Sequence, residues 1–348
     1  VKAQDQALVE SGKVRFGRWS EPLPDLNLDE ADAYRLPGGL PMPRPLQQAR
    51  LKEWQAFQFT NGRWFGIVAL FNAKVMALAQ LKLIDTDTLT KYTFEKRLTP
   101  WSLRYPQNLL DGEVHWSGDG ADFRFGFHLS RDEVDVAVSI PATADRPAMS
   151  LELRGDSTGQ EPVVVSIPFS DRRGMYSHKA CMPATGTLTV GEEEFAFQAS
   201  ESALIADDHR GYYPRVMEWD WGTAAYTTSD GTLIGLNLTR NASIDPERYN
   251  ENVIWVGGHA HALPAVTFVR HDTTATSPER WEIRDQMGRV NVDLDVLIDG
   301  RVDINAVVLK SKYRGPFGRF SGTITLEDGS VVEIPNVFGM GEDFELHV

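Results

Sequence analysis

The chain has 348 residues, with 42% hydrophobic and 24% charged side chains, which are ordinary proportions for a soluble globular protein. Its formal charge is −14, and no run of Lys and Arg offers the cationic surface that a phosphate backbone requires, so no nucleic-acid partner is expected. The single cysteine, Cys181, excludes an intrachain disulfide framework and any cysteine-rich zinc or iron–sulfur site. The N-terminus has no apolar core of signal-peptide length, and the longest apolar run, WFGIVALF from Trp64, falls far short of the ~20 residues of a membrane helix. A cytoplasmic chain with no integral membrane segment is the expectation.

Residues 1–45 are rich in Pro, Gly and Asp and read as an extended arm lying over a core. Beyond them a period of two dominates. Asp122–Ser130, Glu133–Ile140, Arg289–Asp299, Arg301–Leu309 and Gly322–Leu326 each place apolar residues on one face, the signature of half-buried strands. Asp-Gly pairs at 111–112, 230–231, 299–300 and 328–329 mark turns, and IDGR between two alternating runs predicts a hairpin. The class is all-β, built from short antiparallel strands.

The chain also repeats itself. RGMYSHKACMPATGTLTV from Arg173 and RGPFGRFSGTITL from Arg314 both read Arg-Gly-x-aromatic followed by a Gly-Thr strand. WFGIVALF from Trp64 resembles DWGTAAYTT from Asp220, and Trp116 matches Trp281. Duplication predicts two β-barrels or sandwiches, residues 46–200 and 201–348.

KEWQAFQF near Trp54, DDHRGYYPRVMEWDWGTA, GLNLTRNASIDPERYNENVIW and the closing GRFSGTITLEDG…GMGEDFE together resemble the bacterial domain of unknown function 2804 family. The closing GEDFELHV lacks the terminal Trp that such proteins tend to carry. A more distant resemblance is to the carotenoid hydratase and AttH-like group. That resemblance implies tandem lipocalin-like antiparallel β-barrels, and some of the group act on isoprenoids by hydration or cyclisation.

In DDHRGYYP, Gly and Pro predict a loop, which a barrel would carry at its mouth. There Asp208 can orient His209 as an acid–base pair, or the loop is simply solvated. Tyr212 and Tyr213 read as rim or packing aromatics. If VMEWDWGTAAYTT is a strand, Glu218, Asp220 and Gly222 share one face, and Met217, Trp219 and Trp221 the other. Two carboxylates facing one apolar interior repel, so at least one becomes a protonated donor to an alkene or enol; paired with Arg215 and Arg240, or turned to water, they do no chemistry. In GLNLTRN, Asn237, Thr239 and Asn241 share a face, and buried amides need partners such as a ligand oxygen. Arg240 points the other way and can help orient that oxygen only through a bulge. His259 and His261 share a face, but no spacing supplies a third ligand, so no metal is expected.

No Walker loop, dinucleotide fingerprint, HExxH or nucleophile elbow is present, and no cofactor is expected. The sequence therefore predicts a barrel that binds a hydrophobic small molecule in or beside its second repeat. Asp208, His209, Glu218 and Asp220 are the candidate catalytic residues. Tyr212, Tyr213, Trp219, Trp221, Asn237, Arg240, Asn241, His259 and His261 are the candidate ligand contacts. The chemistry expected is that of a hydratase, isomerase or cyclase of an isoprenoid, steroid or lipid; the alternatives are a non-catalytic lipid carrier and a carbohydrate-binding sandwich.

Overall fold

The computed structural model describes residues 7–274, 278–305 and 310–347. The period-two runs become antiparallel strands that curl into two sheets. The first runs Thr90–Leu98, Ala77–Asp85, Trp64–Asn72, Leu51–Thr60, Ala203–Tyr212, Gly174–Val190, Met149–Asp156, Glu133–Ile140, Ala121–His128, Gly112–Gly118. The second runs His259–Ala262, Val253–Val256, Leu233–Arg240, Val216–Thr227, Val331–His347, Phe317–Thr325, Val290–Ile298, Arg280–Asp285, Val266–His271. These are two tandem lipocalin-like barrels.

Alternation fills each interior. Phe57, Phe59, Phe123, Phe125 and Phe127 point into the first barrel, and Trp281, Ile283, Leu294 and Phe320 into the second. Burying each such side chain is worth about 2–3 kcal/mol, so these cores dominate the fold's stability. The arm closes one end of the first barrel. Its Leu8, Trp19, Leu26 and Leu28 pack on Val164, Tyr176 and Tyr212, and its strand Gly17–Trp19 pairs with Val163–Pro168. Arg18 donates to the Asn250 carbonyl at 2.6 Å, tying the arm to the second half.

Two local readings change. Asp207 to Tyr212 is not a loop: it lies in the strand Ala203–Tyr212, paired on both sides as far as Gly211 and wholly buried. Gly211 serves close backbone approach there, since a Cβ would stand 2.4 Å from the Gly174 carbonyl oxygen. Asp299-Gly300 is a corner rather than a hairpin, because Val290–Ile298 pairs with Arg280–Asp285 and Phe317–Thr325, while Arg301–Asn305 pairs with Lys310–Arg314. The end of the expected strand Arg301–Leu309, residues 306–309, lies outside the described residues.

The repeat is real, with a different register. Matching the sheets strand by strand sets Leu51–Thr60 against Val216–Thr227, not Trp64–Asn72. Trp54 then corresponds to Trp219, each following a Glu. Trp116 and Trp281 do not correspond, since Gly112–Gly118 has no counterpart in the second order. The Gly-Thr strands do. Gly186 and Gly322 have φ of +138° and +132°, and a Cβ would lie 1.9 Å and 2.1 Å from a carbonyl oxygen of the neighbouring strand. Both sheets use one glycine at the same place to press two strands together. Gly186→Ala and Gly322→Ala should each lower the unfolding free energy by about 3 kcal/mol or more. Gly231→Ala, with open space around it, should cost about 1 kcal/mol. Denaturant unfolding of the three variants checks the contrast.

Candidate functional site

Strand alternation that fills the interiors also builds the outer faces. With Phe57 and Phe59 pointing in, Trp54 and Ala56 point out; with Asp220 and Ala224 pointing in, Trp219 and Trp221 point out. The two outer faces meet around a cavity of about 550 Å³. Ile67, Phe71 and Leu78 line it from the first barrel, and Met217, Met340 and Phe344 from the second. At its centre Trp54 stacks on Trp219, with ring centroids 5.9 Å apart and planes at 24°. Phe344 lies 4.2 Å from Trp219, Tyr213 5.6 Å from Trp54, and the His209 ring 4.7 Å from Trp54.

Beside this aromatic group lies a buried polar network. Lys179 Nζ is 2.7 Å from Asp207 Oδ2 and 3.9 Å from Glu251 Oε2. His209 Nε2 is 3.0 Å from Glu251 Oε2 and 3.2 Å from Asp207 Oδ1, so this nitrogen carries the proton. Ser177 donates its hydroxyl to Glu251 Oε2 at 2.6 Å. Burial pushes the Glu251 carboxyl up, but Lys179, His209 and Ser177 outweigh it and hold it well below the usual carboxylate range. His209 Nδ1 is buried without a protein partner. Among the described residues, no group of three or more His, Cys, Asp or Glu is arranged to hold a metal ion.

A second acid faces the cavity differently. Glu342 occupies the ladder position opposite Trp221, as Asp207 does opposite Ala56. By the Trp54–Trp219 register the two acids are equivalent. Asp207 has a lysine at ion-pair distance; Glu342 has none among the described residues. Burial therefore raises the Glu342 carboxyl to about 7, with Lys82 and a Trp219 hydrogen bond only partly opposing it.

The sequence-predicted residues fall into three groups. His209, Tyr213, Trp219, Trp221 and Asn241 line the cavity, and Glu218 sits exposed at its rim. Asn237 lies just behind: it accepts from Trp221 Nε1 at 2.7 Å and donates to the Glu251 carbonyl at 2.8 Å, so it positions cavity residues. The others lie elsewhere. Asp208 does not orient His209, because neighbouring strand residues face opposite ways. It points into the first barrel, where Arg210 Nη2 and Gln55 Nε2 each donate to it at 2.8 Å. Asp220 likewise points into the second barrel and pairs with Arg240 and Arg270, so Glu218 and Asp220 share no apolar pocket. Tyr212 is covered by the arm and donates to the Leu28 carbonyl. His259 and His261 lie on an outlying strand away from the cavity, with His259 71% exposed beside Glu161.

Sequence reading missed Lys179, Asp207, Glu251, Glu342, Lys82 and Trp54 as site residues. Trp54 and Trp219 carried a signal, the repeated Glu-Trp. Asp207 was legible by alternation, since it shares the His209 face. Glu251 and Glu342 lie in segments with no local pattern that marks a site.

The description "Domain of unknown function (DUF2804)" matches residues 1–347. No curated protein matches the chain. Among solved structures, CghA with Sch210972 is similar at 15% identity, with 100% of this chain and 98% of that chain covered and a TM-score of 0.54. Kievitone hydratase from Nectria haematococca is 12% identical over 85% of this chain and 88% of that chain, with a TM-score of 0.48. A putative AttH from Nitrosomonas europaea is 15% identical over 90% and 99%, also with a TM-score of 0.48. The CghA likeness shows a shared fold over the whole chain.

Asp220 offers a test of the division between site and scaffold. Asp220→Asn removes a buried charge from two arginines and should cost about 2–3 kcal/mol of stability in denaturant unfolding. Glu218→Gln, at an exposed position, should stay within about 0.5 kcal/mol of the parent.

Proposed function

The chain belongs to the domain of unknown function 2804 family, and we propose that it binds an apolar small molecule between its barrels and moves a proton on it without a cofactor. The reaction class is that of a hydratase, isomerase or cyclase, and the substrate class an isoprenoid, steroid or lipid. One observation carries this reading: a carboxyl raised to about 7 faces an aromatic cavity of about 550 Å³. An acid with that affinity for its proton is populated as a donor near neutrality and can return as a base within the same cycle.

The remaining residues fit that task. Glu342 protonates an alkene or enol carbon. The faces of Trp54 and Trp219 stabilise positive charge as it develops. His209, whose Nε2 is fixed on Glu251, has Nδ1 without a protein partner and serves as the relay for a proton from the substrate or from an attacking water. Asp208 and Asp220, each locked to arginine inside a barrel, take no part. CghA, solved with Sch210972, lends support to a bound ligand in a chain of this fold.

Lipid extracts incubated with the protein, read by mass spectrometry, test the proposal. Glu342→Gln should retain ligand but lose conversion by about 100-fold or more. The acid form of Glu342 predominates below pH 7 and is lost above it, so conversion by the parent should fall as pH rises through about 7. Retained ligand with no conversion by the parent would instead leave a carrier.

A further inference from the structure

Lys82 is the cavity group that proton transfer leaves unused. It stands on Ala77–Asp85, is only 5% exposed, and shares the outward face with Gln80 and Leu78. Its Nζ donates to the Tyr313 hydroxyl at 2.6 Å and lies 4.4 Å from that ring's centroid. Among the described residues, no carboxylate approaches it within the 4.0 Å of an ion pair. Glu342 and Glu95 act on it only from farther away, and Gln80 donates to Glu95 at 3.0 Å. Lys91 and Arg97, from the adjacent strand Thr90–Leu98, line the same wall.

Lys179 gives the contrast. It is 1% exposed, and Asp207 and Glu251 both meet it. A buried ammonium costs several kcal/mol unless opposite charge or good hydrogen bonds compensate it. The cavity thus holds two buried lysines, one neutralised by the protein and one with two donor positions open beyond its bond to Tyr313.

We infer that Lys82 and the Tyr313 hydroxyl form a subsite for the carboxylate of an otherwise apolar ligand. This rests on the proposed apolar-ligand cavity and adds the polar end of the molecule. The two open N–H groups of Lys82 reach the carboxylate oxygens, while the Trp54–Trp219 stack and its neighbours hold the apolar part. Burial depresses Lys82 to about 8 for want of a close anion, and a bound carboxylate would reverse that shift. The same carboxylate disfavours a second negative charge nearby, so it keeps Glu342 in the protonated form that donates.

Dodecanoate and dodecan-1-ol, matched in chain length, separate the head group from the tail. Tryptophan fluorescence reports binding, since Trp54, Trp219 and Trp221 line the cavity. At pH 7 the parent should bind dodecanoate at least about 10-fold more tightly than dodecan-1-ol. Lys82→Met should abolish that preference; Lys82→Arg should keep it, which preserves the test if the Met variant folds poorly. Equal affinity of the parent for both probes, or a preference that survives Lys82→Met, overturns the subsite and leaves the apolar cavity standing. If neither probe binds the parent, the apolar-ligand reading falls, and the subsite with it.

Discussion

The buried network of Lys179, Asp207, His209, Ser177 and Glu251 fixes how the two barrels meet. Four of these residues come from the first sheet, on Gly174–Val190 and Ala203–Tyr212. Glu251 comes from the second half, just before Val253–Val256. Such a network is stable only when complete, because one missing partner strands a buried charge at a cost of about 3–5 kcal/mol. The barrels are therefore held in one relative placement by chemistry, while apolar contacts such as Cys181 against Gly235 supply the close fit. Asn237, bonded to both Trp221 and the Glu251 backbone, passes that constraint to the aromatic wall.

Duplication sets two equivalent acids into one cavity, and the difference between them comes from their neighbours. Asp207 lies opposite Ala56 and pairs with Lys179; Glu342 lies opposite Trp221 and has no such partner among the described residues. The next outward positions diverge as well: His209 in the first sheet, Phe344 in the second. One half became a charge-paired polar network. The other became an aromatic wall with a carboxyl that keeps its proton to about pH 7. Glu342, raised by burial, and Glu251, held low by Lys179 and His209, are two carboxyls whose surroundings drive them in opposite directions.

The fold was largely legible because period-two alternation is a local property. Glu133–Ile140 and the Gly-Thr strands could be read from their own residues, and the paired glycines Gly186 and Gly322 marked the duplication. The site was legible only in part. Alternation within Val216–Thr227 correctly separated Trp219 and Trp221 from Asp220, but it could not say which face looked into a barrel and which into the cavity. The interiors took Phe57, Phe125 and Leu294 and left Trp54 and Trp219 outside, so Trp219 and Trp221 line the cavity as the sequence proposed, but from a barrel's outer face. Gly211 and Pro214 made Asp207–Tyr213 look like a loop, because glycine's role in close strand approach leaves no trace in the sequence. Lys179–Glu251 and Lys82–Tyr313 are contacts between residues 72 and 231 positions apart, and nothing local announces them.

A site between outer faces also explains why neither half suffices. Each barrel interior is filled by side chains, so a single barrel offers packing and no room. The first half holds Lys179, Asp207 and His209, yet they become a buried network only when Glu251 and the second barrel exclude water. The second half holds Glu342 and Trp219, yet Glu342 is buried only because Trp54, Ile67 and Lys82 form the opposite wall. Joining the barrels thus creates the low-dielectric space and shifts the carboxyl in one step. Of the acids of MEWDWG, which looked like the chemistry, Asp220 serves as scaffold and Glu218 stands exposed at the rim, while the neighbouring tryptophans line the cavity.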